Sequence, residues 1–152
     1  MEPLKIGTKG KDFLLKDHQE KEHSLAALKG KKVLLSFHPL AWTSICAEQM
    51  KSLEKNRGEF ARLNTVALGI SVDSIPCKAA WAKELEISIT PLLCDFWPHG
   101  AVAQAYGIFR EKNGFSERAN IILDEAGNIV FAKIYPISEL PDIEEILNFL
   151  RG

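Results

Sequence analysis

Two hydrophobic periods alternate along this chain. Stretches dominated by apolar and β-branched residues occur at Lys31 to Phe37, Thr65 to Val72, Arg118 to Leu123 and Ile129 to Tyr135. Runs of that length and content read as strands buried on both faces. Thr90-Pro91 breaks the chain, and Leu92-Leu93-Cys94-Asp95 after it is a shorter strand candidate. Between these runs, apolar residues recur every three or four positions. Cys46, Met50, Leu53, Arg57 and Phe60 share one face of a helix predicted from Ser44 to Leu63, with Gly58 its weak point. Ile143, Ile146, Leu147 and Leu150 give a second stripe, on a helix from Asp142 to Leu150. A strand, a long helix and a strand make a βαβ unit, so the strands at 31–37 and 65–72 are expected to be parallel.

Local signals fill in the rest. Phe13-Leu14-Leu15 and Glu20 to Ser24 read as an N-terminal hairpin, followed by a helical turn from Leu25 to Leu28 that Ser24 caps and Gly30 closes. Asp73-Ser74-Ile75-Pro76 ends a strand and starts a helix running to about Leu85. A short helix spans Ala101 to Tyr106 and stops at Gly107, and Asp124 to Asn128 is a hairpin turn. His18 and His23 lie in a charged stretch and are expected at the surface.

The segment Phe37-His38-Pro39-Leu40-Ala41-Trp42-Thr43-Ser44-Ile45-Cys46 changes the picture. Pro39 stops the strand, because it has no N–H and restrains His38 to extended geometry. Thr43 or Ser44 is placed to cap the next helix through its hydroxyl, and Cys46 falls in the first turn. Free N–H groups and the positive end of the helix dipole favour a thiolate there.

The decapeptide resembles the peroxiredoxin signature Pro-x-x-x-Thr-x-x-Cys after a strand, with Pro39, Thr43 and Cys46 at its fixed positions. Ser71-Val72-Asp73-Ser74 followed by Ala80-Trp81 is similar to the family's next strand and helix. Asp95-Phe96-Trp97-Pro98-His99-Gly100-Ala101-Val102 and Ala105-Tyr106-Gly107 resemble the subgroup related to alkyl hydroperoxide reductase E. Arg118, with Ile121 to Gly127, looks like the family's arginine strand and hairpin. The resemblance implies an α/β, thioredoxin-like fold with a central mixed sheet flanked by helices, as a single domain over 1–152. It implies a thiol-dependent peroxidase working without a bound cofactor. Cys46 would be the nucleophile that becomes a sulfenic acid, and Arg118 the cation beside it. Thr43 would hold the peroxide, and Pro39 would shield the sulfur. Arg118 at a strand edge also suits an ion pair with Glu117 or Glu111. The competing reading from another class is a redox-dependent chaperone or peroxide-sensing partner protein using the same cysteine.

Several positions depart from the family pattern. Many members carry Glu three residues after the nucleophile, where this chain has Gln49; His38 stands where an aromatic is common and is expected to pack. Asn120, a polar residue within a strand, has no evident role. Position 51, where some members place a resolving cysteine, is Lys51, and none follows Cys94. Cys77 is the candidate resolving residue if there is one, with Cys94 behind it. A one-Cys route is expected, in which an outside thiol of thioredoxin or glutaredoxin type reduces the sulfenic acid. No Cys-x-x-Cys pair or short Cys/His spacing suggests a metal or a dithiol oxidoreductase.

Composition narrows the setting. The chain has 152 residues, is 46% hydrophobic and 26% charged, and carries a net charge of −1, which gives no electrostatic case for nucleic acid or anionic membrane. Lys29-Gly30-Lys31-Lys32, the basic cluster, reads as a solvated turn. The N-terminus shows no apolar leader, no run approaches a membrane span, and the three cysteines suit a reducing cytoplasm. Trp42, Phe96 and Trp97 could form an apolar patch for a homodimer.

Overall fold

The computed structural model describes residues 3–152; Met1 and Glu2, the start of the segment read as lacking a leader, lie outside them. The order of elements is β1 (Leu14–Lys16), β2 (Glu22–Ser24), a 3-10 turn (Ala26–Leu28), β3 (Lys32–Phe37), α1 (Ser44–Lys55), α2 (Arg57–Arg62), β4 (Thr65–Ser71), α3 (Ile75–Leu85), β5 (Leu92–Cys94), α4 (Ala101–Ala105), β6 (Phe109–Arg110), β7 (Phe115–Ser116), β8 (Arg118–Leu123), β9 (Ile129–Tyr135) and α5 (Ile143–Arg151). The central sheet has the order β5-β4-β3-β8-β9. β3 and β4 are parallel, as are β4 and β5, whereas β8 runs antiparallel to both β3 and β9. This is the α/β, mixed-sheet architecture expected from the sequence.

The twofold period of the strands sorts their side chains onto two cores. Val33, Leu35 and Phe37 of β3 join Ala119, Ile121 and Leu123 of β8 on one face, under Val102, Ala103 and Tyr106. Leu34 and Ile122 lie on the other face with Cys46, Met50, Leu53, Phe60, Trp81, Ile146, Leu147 and Leu150. That second face therefore also receives positions 36 and 38 from β3 and its end, and positions 118 and 120 from β8. Ser36 is paired with Asn120 in the sheet register.

Three expectations are corrected. The helix predicted from Ser44 to Leu63 is two helices, and the break is at Asn56 rather than Gly58. Asn56 adopts φ −99°, ψ 14°, and its side-chain amide donates to the Ser52 carbonyl, so it competes with the regular ladder. Arg57 is thereby exposed rather than on the buried stripe. His18 and His23 are not free surface groups. His18 Nδ1 accepts from the Leu92 N–H at 3.3 Å, and His23 Nε2 lies 2.8 Å from Asp17 Oδ2. The β1–β2 hairpin packs on the sheet edge, where Asp17 bridges to Leu93, and this contact places His18 against Leu92 while His23 pairs with Asp17 inside the hairpin. The hairpin of β6 and β7 had no signal in the hydrophobic pattern, because each strand is only two residues long.

The smaller local readings hold. Ser24 Oγ accepts from the Ala27 N–H, Ser74 Oγ from Cys77 N–H, and Asp142 from Glu144 N–H, each at a helix start. No helix among the described residues is long and apolar enough to cross a membrane.

Candidate active site

β3 ends at Phe37, and Pro39 turns the chain into a loop that reaches α1 at Ser44. Thr43 is the N-cap residue in extended geometry (φ −112°, ψ 149°), but its hydroxyl makes no cap bond. It donates instead to the Leu40 carbonyl at 2.8 Å. The expectation of a side-chain cap from Thr43 or Ser44 is therefore corrected. The hydroxyl is drawn back across the loop, and the first-turn N–H groups beside Cys46 are left without a side-chain acceptor at the cap. A helix start of this kind favours an anion near its N–H groups.

Cys46 is fully buried. Arg118, at the start of β8, is 2% exposed and reaches it across the sheet face. Its Nη1 lies 3.3 Å from Cys46 Sγ and 2.8 Å from Gln49 Oε1, while Nε and Nη2 donate to the Ile137 carbonyl at 3.1 and 2.8 Å. The guanidinium is thus fixed on both sides and cannot swing away from the sulfur. Of its alternative partners, Glu117 lies 3.7 Å from Arg110, and no ion pair joins Arg118 to Glu111 among the described residues.

Gln49 does more than replace a carboxylate. Its Oε1 accepts from Arg118, and its Nε2 donates to Ser36 Oγ (2.8 Å) and the Phe37 carbonyl (3.1 Å). Ser36 in turn donates to Asn120 Oδ1 at 2.8 Å, Asn120 Nδ2 approaches Tyr135 Oη at 3.4 Å, and Tyr135 donates to Glu145 at 2.7 Å. Asn120, without a role in the sequence, is the middle of a polar chain running from Arg118 to the surface. Burial, and then the hydrogen bond to Glu145, pushes the Tyr135 phenol up, so it remains a donor. The sequence signal that could have found this chain is the twofold period: Ser36, Arg118 and Asn120 all fall on the face of Leu34 and Ile122.

A pocket of about 280 Å³ opens at this point, lined by Pro39, Leu40, Thr43, Ile45, Phe115 and Ile137, with Arg118 also in its wall. The buried thiol meets the pocket through that arginine. Phe115 and Ile137 were missed by sequence reasoning, since one belongs to the short β6–β7 hairpin and the other to the loop after β9.

The remaining cysteines sit apart from this geometry. All three are unpaired thiols. Cys77 is half-buried, with Sγ 3.7 Å from Asp73 Oδ1, and burial followed by that carboxylate's charge pushes its thiol up. Burial raises Cys94 to about 11. Thiols raised in this way are poor nucleophiles.

His38 packs as expected, and it also takes a hydrogen-bond partner. It is wholly buried, lies against Trp81 with ring centroids 5.5 Å apart, and its Nε2 is 2.7 Å from the ammonium of Lys78.

The AhpC/TSA family profile matches residues 6–132. The chain belongs to that family. It is a peroxiredoxin, a thiol-dependent peroxidase by class, and its relatives span nearly its whole length. It is 40% identical over 140 residues to alkyl hydroperoxide reductase E of Mycobacterium tuberculosis, covering 91% of each chain. It is 31% identical to peroxiredoxin-1 of Gekko japonicus, covering 97% of this chain and 78% of that one. Among solved structures, the crystal structure of peroxidoxin BcpB from M. tuberculosis superposes with a TM-score of 0.84 at 25% identity, covering 97% of both chains. Enterococcus faecalis AhpC shares the fold at a TM-score of 0.88 and 24% identity, covering 96% of this chain and 90% of that one. The peroxiredoxin fold is thioredoxin-like, as the sequence resemblance implied.

Proposed function

We propose that Cys46 is the peroxidatic nucleophile of a one-Cys enzyme that reduces hydrogen peroxide and organic hydroperoxides. The observation that carries this reading is the Arg118 Nη1 to Cys46 Sγ contact of 3.3 Å at the start of α1. A permanent cation meets the sulfur there, at a helix start whose first-turn N–H groups have no side-chain cap.

The reaction balances as follows. The thiolate attacks the distal peroxide oxygen, an S–O bond forms and the O–O bond breaks. Sulfur gives up two electrons, and the departing oxygen leaves as water or an alcohol after taking a proton. Arg118 and the first-turn N–H groups oppose the charge that develops on the leaving oxygen. Thr43 orients the peroxide through its hydroxyl, and Pro39 limits water at the sulfur. The largely apolar pocket wall of Leu40, Ile45, Phe115 and Ile137 supports an alkyl substituent on the peroxide. The raised thiols of Cys77 and Cys94 favour recycling by an outside thiol of thioredoxin or glutaredoxin type. That thiol attacks the sulfenic sulfur and releases water, and a second thiol frees Cys46 with formation of a disulfide on the reductant. A cytoplasmic homodimer suits this chemistry, with exposed Trp42, Phe96 and Trp97 as the candidate contact.

The test is intact-mass spectrometry with peptide mapping after one equivalent of peroxide. A gain of one oxygen on Cys46 supports the reading, and Cys46→Ser should lose turnover. Loss of two hydrogens, with Cys46 linked to Cys77 or Cys94, would replace the one-Cys route by an internally resolved one. No rapid change at Cys46 would remove it as the nucleophile.

A further inference from the structure

A second buried polar chain, separate from the one that begins at Arg118, meets the active-site loop at His38 and Ala41. Lys78, on α3, is fully buried, yet its ammonium donates to His38 Nε2 and to Ser71 Oγ, both at 2.7 Å. Ser71 donates onward to Asp73 Oδ2 at 2.7 Å, and that same carboxylate oxygen accepts the Ala41 N–H at 2.8 Å. The Lys78 ammonium also lies 5.4 Å from the Trp81 ring centroid. Among the described residues no buried side-chain nitrogen or oxygen lacks a partner, so the chain is complete.

The chain grips the loop twice. His38 immediately precedes Pro39, and Ala41 lies two residues before Thr43. One end holds the His38 ring and the other holds the Ala41 N–H, so Pro39 and Leu40 are suspended between two fixed points and Ala41 leads from the second directly into Trp42 and Thr43. Ser116 adds a weaker contact at the His38 carbonyl, 3.4 Å away. A buried ammonium is costly in apolar surroundings, and its retention beside a reactive loop points to a use.

We propose that His38, Lys78, Ser71 and Asp73 form a positioning network that holds the Pro39–Thr43 segment in its peroxide-binding geometry, with the charge on Lys78 as its variable part. The proposal rests on Cys46 being the peroxidatic residue. None of the four needs to touch the peroxide; they act through the loop.

The groups facing Lys78 set its charge. His38 comes from the end of β3, Asp73 from the turn after β4, Cys77 from α3 itself, Cys94 from β5, Cys46 from α1 and His18 from the turn after β1. Arg118 faces His38 from β8. Burial lowers Lys78 to about 8, against the pull of Asp73 and the three cysteines. Burial, and then the Lys78 charge, hold His38 well below its ordinary value, so its ring is neutral and Nε2 can accept. The ammonium is therefore present at pH 7 and lost as pH rises through about 8. With it goes one proton of the network and the charge-assisted strength of both its bonds.

The experiment measures the second-order rate constant for oxidation of the full-length protein by hydrogen peroxide, from pH 6.5 to 9.5, in wild type and Lys78→Met. The wild-type to K78M ratio should be about tenfold at pH 6.5 and fall below about threefold by pH 9.5. Lys78→Arg should keep the advantage across the whole range, because its charge does not titrate there. A ratio of one throughout, or a loss that does not vary with pH, overturns the proposal; the second result would mean that Lys78 only supports the fold. If K78M does not fold, His38→Phe decides. Removing the acceptor disfavours the ammonium, so the fall in rate relative to wild type should set in at lower pH, and an unchanged profile refutes the network. Cys46→Ser is run alongside: turnover surviving in that variant would fault the peroxidatic assignment itself, separately from the network.

Discussion

Arg118 Nη1 rests 3.3 Å from Cys46 Sγ, although 72 residues of chain separate them. β8 pairs antiparallel with β3, and β3 feeds the loop that leads into α1. The arginine at the start of β8 is thus brought to the end of β3, at the first turn of the helix.

Arg118→Lys should lower the rate of peroxide reaction about a hundredfold. One ammonium cannot reach the Ile137 carbonyl, Gln49 Oε1 and Cys46 Sγ at the same time, whereas the guanidinium fork does. Rapid-mixing kinetics against hydrogen peroxide would show it, and a change under threefold would mean that the fork geometry is not needed.

Thr43→Val should lower the same rate about tenfold or more, while Thr43→Ser stays within about threefold. The side chain is exposed and bonds only to the Leu40 carbonyl, so stability should change by less than about 1 kcal/mol. Thermal melts measured beside the kinetics separate the two effects. Equal loss in both variants would argue against a role for the hydroxyl.

Gln49→Glu should split stability from activity. The new carboxylate can still accept from Arg118, but it cannot donate to the Phe37 carbonyl, now 3.1 Å from Nε2. We expect a loss of about 1–2 kcal/mol in urea denaturation, with the rate held within about threefold. An unchanged urea midpoint would show that the amide donors contribute nothing.

Glu54→Gln should destabilise the protein only above acid pH. Burial alone would raise this carboxyl, but the N–H groups of Ser88, Thr90 and Ile89 converge on it and hold it down at about 2, against 4.5 when unfolded. Its folded value is depressed, so its contribution is full above 4.5 and disappears as pH falls toward 2. The deficit of E54Q should be about 3 kcal/mol at pH 7, begin to shrink below pH 4.5 and close as pH nears 2. A constant deficit across that range would mean that shape, rather than charge, decides.

Much of this was legible in one dimension. The stretches at 33–37 and 119–123 are mostly apolar, with Ser36 and Asn120 the exceptions, so the burial of their apolar residues needs no partner to be named. Pro39, Thr43 and Cys46 lie within eight residues, where local geometry dominates, and the loop and helix start follow from it. In sequence Gly58 is the more obvious breaker, yet the Asn56 side chain takes the Ser52 carbonyl and the helix breaks there. Charged neighbours in sequence point His18 and His23 to water; the Leu92 N–H that His18 meets lies 74 positions on, and His23 turns to Asp17 within its own hairpin.

The sequence by itself determined the order of strands and helices, the parallel βαβ unit and the cysteine in a first turn, because each depends on residues close in the chain. The tertiary structure alone decided which polar residues share the face of Cys46. Ser36 and Asn120 meet through strand register, Gln49 serves as both acceptor and donor, and Lys78 can stay charged inside the protein only because His38, Ser71 and Asp73 arrive from other elements. A buried polar group is stable only when its partners are in place, and those partners are fixed by packing rather than by neighbours in sequence.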